Sequence, residues 1–170
     1  MAPLATLQKI ELSKWSPEQR QQAAAVGLAS GWLTAMGFIG KHYGEAAVGG
    51  YLAACAQGYA ARLKAEGVAT PLELARRIAE HDLNVVGSKI EVRGDASQAE
   101  VTCYECGVGG AAAKVAQSCG VDPAAMGCAD AEGGQKNAAV GWLRAVADAF
   151  GFSCEGRGLP PSGYQVTFKA

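Results

Sequence analysis

Histidine is nearly absent from this sequence: His42 and His81 are the only two in 170 residues. Any Cys-His pair or histidine-bearing metal centre is therefore confined to those two positions. No G-x-S-x-G occurs, which excludes a serine nucleophile elbow. The glycine-rich stretches "GVGG" and "AEGGQKN" lack both G-x-x-x-x-G-K-[ST] and a strand-anchored G-x-G-x-x-G, so a phosphate cradle is not expected. Charge of one sign is also missing. With 15 Lys plus Arg against 16 Asp plus Glu, nothing marks nucleic acid as a partner. The first residues carry Lys and Glu where a signal peptide needs an unbroken apolar core. No stretch is expected to supply the roughly 18 charge-free apolar residues of a spanning helix. These absences lead to the expectation of a cytoplasmic protein with no membrane partner.

Hydrophobic residues make up 49% of the chain. At this length that suffices for one compact domain spanning 1–170. Six cysteines in a reducing compartment read as buried thiols, metal ligands or a reactive thiolate rather than as structural disulfides.

Ser16-Pro17-Glu18-Gln19 carries a capping-box start, so a first helix is expected from Pro17 towards Ile39. A second should begin near Gly44 and stop at Gly67, and Thr70-Pro71-Leu72-Glu73 opens a third that reaches about Glu80. The period then falls to two. "SKIEVRG" and "AEVTCYE" read as a hairpin around Gly94-Asp95-Ala96-Ser97, with Ile90, Val92, Val101 and Cys103 facing one way. A helix in "GGAAAKVAQSC" ends at Gly120, and a later one turns Ala139, Trp142, Leu143, Val146 and Phe150 inward. A second hairpin sets Phe152 and Cys154 against Tyr164, Val166 and Phe168. The fold class expected is α+β: a helical half, 1–84, and a hairpin-helices-hairpin half, 85–170. N-terminal helices then accompany an antiparallel sheet of about four strands, in two hairpins, covered by helices.

The segment Val101 to Cys106, the Cys119-Gly120-Val121-Asp122 run and the closing strand Tyr164 to Phe168 carry a resemblance. In this order they resemble the L-2-amino-thiazoline-4-carboxylic acid hydrolase-like family and, more distantly, the 4-vinyl reductase type of ligand-binding domain. The first resemblance implies a hydrolase acting on a carbon-nitrogen bond of a small heterocycle. The second implies a ligand-binding or sensor module without chemistry, holding zinc or iron through cysteines.

Cys106 falls where a strand gives way to a helix, a place where free amides and the helix dipole favour the thiolate. The hydrolase reading makes it the nucleophile or an essential polar contact. His81 or His42 would then move the proton, and Glu105 or Asp122 would orient it. The bland alternative leaves Cys106 as a small residue in an Ala/Gly-rich packing surface and Cys103 as core. The metal reading takes Cys103, Cys106, Cys119 and Cys128, with Cys154 in reserve, as ligands of zinc, iron or an iron-sulfur cluster. A further reading uses His42 and His81 with a carboxylate as an iron site, His42 and Glu45 sharing one helical face. Trp32, Tyr51, Tyr104 and Trp142 are candidates to line an apolar pocket for a small-molecule ligand, or else to fill the core. The Ala/Gly-rich helices and an open sheet edge suit a homodimer.

Overall fold

The computed structural model describes residues 14–118, 138–159 and 163–170. Helix α1 (Pro17–Tyr43) starts as its sequence demands. The Ser16 hydroxyl accepts the Gln19 amide at 3.2 Å while the Gln19 side chain accepts the Ser16 amide at 2.9 Å. The helix runs four residues past Ile39 and breaks at Gly44, whose φ of 85° L side chains rarely adopt. Between Arg20 and Lys41 it carries no charged residue. By length and composition it could cross a membrane, which corrects the expectation that no stretch would qualify. Ser30 and Thr34 interrupt the apolar run without offsetting its Ala, Leu, Phe and Ile content.

Helix α2 (Glu45–Ala65) ends with the Val68 amide on the Leu63 carbonyl and Gly67 at φ 90°. Helix α3 (Pro71–Arg77) has its own capping box from Thr70 and Glu73. Instead of continuing to Glu80, the α-helix widens into a π-helical turn over Ile78–Leu83. The turn closes with the Asn84 amide on the Ala79 carbonyl at 2.9 Å. It leaves His81 exposed and draws Asp82 partly inside.

Strands β1 (Lys89–Gly94), β2 (Gln98–Glu105), β3 (Ser153–Leu159) and β4 (Gly163–Lys169) form an antiparallel sheet in the order β1-β2-β4-β3. The fold is α+β as expected. Asp95 tightens the first hairpin by accepting the Ser97 and Gln98 amides. Ile90 faces Cys103 and Val92 faces Val101, so the expected register holds. Helix α4 (Gly107–Ser118) follows β2 directly, and α5 (Ala138–Phe150) precedes β3.

Two apolar clusters meet at the α4 entrance. The larger joins one sheet face (Val101, Cys103, Val166, Phe168) to α3, α5 and the far end of α2, with Cys106 packed against it. The smaller, of Ala25, Ala29, Val86, Ala111 and Ala112, joins α1 to α4. The other sheet face is polar and carries the Lys169–Glu155 and Arg93–Glu91 pairs.

Candidate functional site: a thiol pair at the start of α4

The last three residues of β2 and the first of α4 turn the chain so that Cys103 points into the core and Cys106 stands at the helix entrance. The Cys106 sulfur accepts the Gly109 amide at 3.3 Å, acting as the helix cap. This is why α4 begins at Gly107 rather than within the alanine run. Gly107 has no room for a side chain: a Cβ there would lie 1.9 Å from the Val86 carbonyl oxygen. Its amide donates to the Ser88 hydroxyl at 3.0 Å. The loop before β1 thus fixes the first turn of α4 and the sulfur above it.

Cys106 packs against the core cluster that contains Cys103. The Cys103 thiol hydrogen-bonds to the Cys106 sulfur, and this contact does most to pull Cys106 down to about 6. The Gly109 and Val108 amides act in the same direction, while burial opposes them. Cys103 is pushed far the other way, first by its bond to Cys106 and then by burial. The Ser88 and Tyr164 hydroxyls, which also reach Cys103, oppose that rise. Of the two sulfurs, the outer one, Cys106, is therefore favoured to carry the negative charge and the inner one, Cys103, to keep the proton.

Cys106 also lines a cavity of about 430 Å³ between α1, α4 and the end of β2. Its polar wall is Glu18, Gln21 and Gln22 of α1, Lys114 of α4, and Glu105. Cys103 is not part of that lining and is 0% exposed. The outer thiol faces the cavity and the inner one is sealed behind it.

On the inner side the polar chain continues. Tyr164, opposite Cys103 in the β2–β4 register and 2% exposed, is raised chiefly by burial and then by the charges of Cys103, Cys106 and Asp82. The Tyr59 hydroxyl of α2 donates to Asp82. Burial raises the Asp82 carboxyl, against the Tyr59 hydrogen bond and the Arg62 charge. The Tyr59 ring packs on Trp142 at 5.0 Å, with the Arg62 guanidinium 5.1 Å from its centroid.

The other sequence candidates disperse. His81 is on the surface beside the Arg77 guanidinium, and His42 ends α1 with its ring 4.5 Å from that of Phe38. Neither lines the cavity or bonds the thiols. Gly44 separates His42 from Glu45, so the two do not share one helix as the iron reading requires. Glu105 does line the cavity, where it pairs with Lys89 at 2.7 Å. Asp122, Cys119 and Cys128 lie outside the described residues. Among the described residues no three His, Cys, Asp or Glu side chains gather as a metal site. Cys154 is buried opposite Phe168 on β3, its thiol pushed up to about 11 chiefly by burial.

Trp32, Tyr51, Tyr104 and Trp142 do not line this cavity. Trp142 serves the α2–α5 contact, Tyr104 donates to Glu91 at 2.8 Å, Tyr51 is exposed on α2, and Trp32 is half-buried on α1. Sequence reading missed Ser88 and Tyr164 as neighbours of the thiols, and Asp82 as the partner of Tyr59. Tyr164 gave a strand signal only, and an isolated serine in a loop gives none. The polar wall of the cavity comes from helix positions indistinguishable from a solvated face.

No protein-family model matches the chain, and no curated protein matches it.

Proposed function

We propose that the protein is a thiol-dependent enzyme in which Cys106 attacks an electrophilic carbon of a small molecule held between α1 and α4. The observation that carries this reading is the Cys106 sulfur itself. It is capped onto the Gly109 amide, held below the ordinary thiol range chiefly by Cys103, and open to a cavity. A buried structural cysteine is held in the opposite state, as Cys154 illustrates.

The resemblance of Val101–Cys106 and Tyr164–Phe168 to the thiazoline-carboxylate hydrolase-like proteins supplies a substrate class. That class is a small heterocycle with a carbon-nitrogen double bond. Addition of the Cys106 thiolate to that carbon moves the π pair to nitrogen, which takes a proton; collapse of the adduct expels the ring heteroatom, which is protonated as the ring opens, and water then cleaves the bond to sulfur and returns the thiolate. The groups of the cavity wall that would serve the proton and the developing charge are Glu105 and the Lys114 ammonium. His81 and His42 have no part in this scheme, since both stand apart from the cavity.

The test is turnover of thiazoline and cyclic-amidine substrates by the wild-type protein and by Cys106→Ser. Loss of turnover in the variant, with an unchanged fold, supports the reading. Equal turnover removes Cys106 as nucleophile. Ligands that raise the melting temperature without being consumed favour the sensor reading instead.

A further inference from the structure

An outer thiol that reaches the cavity and an inner thiol that reaches only the outer one have a consequence beyond hydrolysis. Whatever binds covalently to Cys106 has a second thiol directly behind it. We propose that Cys106 and Cys103 are the attacking and resolving thiols of a reversible intramolecular disulfide, formed by exchange with small disulfides entering through the cavity. The inference rests on Cys106 being a reactive thiol, and it adds Cys103 as a participant.

The exchange balances without any group outside the proposal. The Cys106 thiolate attacks one sulfur of R–S–S–R and expels RS⁻, which leaves a mixed disulfide on Cys106. Cys103 then gives up its proton to the released thiolate and attacks the Cys106 sulfur, expelling the second RS⁻. The protein dithiol has been oxidised to a disulfide, and R–S–S–R has been reduced to two R–SH. The arrangement suits each step. The attacker sits on the cavity wall at the head of α4, where the Gly109 amide holds its sulfur. The resolver is fully buried, in the cluster against which Cys106 packs and behind the cavity wall, so it faces the attacker from the inner side and is itself shielded from small thiols. The Ser88 and Tyr164 hydroxyls at Cys103 stabilise the negative charge it must carry when it attacks. Lys114 gives the entrance a cation for the carboxylates of a disulfide such as oxidised glutathione. Oxidation would also silence Cys106 as a nucleophile, which couples the proposed activity to the surrounding thiol pool.

The experiment is incubation of the reduced wild-type protein with oxidised glutathione, acid quenching, alkylation of the remaining thiols and peptide mapping. The result expected is a peptide containing Cys103 and Cys106 that is unalkylated, carries no glutathione and is restored by dithiothreitol. In Cys103→Ser, and in Cys103→Ala should the serine not be tolerated in the core, Cys106 should instead accumulate as a stable glutathione adduct. A wild-type protein that stops at glutathionylated Cys106 with Cys103 alkylated overturns the inference while leaving Cys106 a nucleophile. A Cys106 that takes no glutathione overturns both. Exposed Cys55 serves as the internal control for ordinary surface thiol exchange.

Discussion

The Ser88 hydroxyl accepts the Gly107 amide at 3.0 Å, tying the loop before β1 to the first residue of α4 and so fixing the residue that precedes it, Cys106. Ser88 reaches the Cys103 sulfur as well, so one hydroxyl serves both the helix that positions the outer thiol and the sulfur behind it. Ser88→Ala should cost about 1 kcal/mol of stability through the orphaned amide. It should also slow Cys106 alkylation at neutral pH while leaving Cys55 unaffected. Denaturant melts and peptide-resolved alkylation read the two effects separately.

Gly107 tolerates no side chain, because the Val86 carbonyl oxygen occupies the space 1.9 Å from where a Cβ would stand. Gly107→Ala should therefore destabilise the protein by about 1–3 kcal/mol, the usual range for forced overpacking. The same change at Gly110 on α4 meets nothing within 4 Å and should be neutral or mildly stabilising. Equal melting temperatures for the two variants would mean that the α4 entrance is not packed as described.

The thiol and phenol groups of the core set opposite pH limits. Cys106 is held below the ordinary range, so its contribution is complete above an unfolded thiol's value of about 8.5 and fades as the pH falls through about 6. Burial raises Cys154 and Tyr59 above theirs, so their contributions are complete below the unfolded values and fade as the pH rises through the folded ones, about 11 for Cys154. Thermal melts should show stability falling above about pH 8.5. Cys154→Ala and Tyr59→Phe should flatten that alkaline decline while lowering the plateau. An undiminished slope in both variants would remove these groups as its cause.

Tyr59→Phe carries a separate cost, because Asp82 loses its hydroxyl donor in a half-buried setting. A loss of about 1–3 kcal/mol is expected from that unsatisfied carboxylate. Asp82→Asn in the same background should recover part of it, since an uncharged amide is cheaper to bury. A double-mutant cycle by denaturant unfolding measures the coupling.

Much of the fold was legible because its signals are local. The capping boxes at Ser16 and Thr70, the stop at Gly67, and the period-two pattern from Ile90 to Cys103 each declare an element within a few residues, whereas the end of α1 at Gly44 lies past the expected Ile39. The π-helical turn was not legible. Nothing in "IAEHDL" departs from helical composition, and the partner that Asp82 meets there, Tyr59, comes from another helix. The site divides in the same way. The strand-to-helix junction marked Cys106, and strand alternation placed Cys103 in the core. Their mutual contact and its support by Ser88 and Tyr164 are tertiary, as is the exclusion of both histidines.

The chemistry proposed at the α4 entrance depends on the charge state of one sulfur. The direct measurement is the rate of Cys106 alkylation by iodoacetamide against pH, read by peptide mapping so that Cys55 and Cys154 do not contribute. The account predicts a half-maximal rate near pH 6, displaced upwards in Cys103→Ala because the inner thiol is the main cause of the shift. A wild-type midpoint near the ordinary thiol value of about 8.5, unmoved by that substitution, would contradict it.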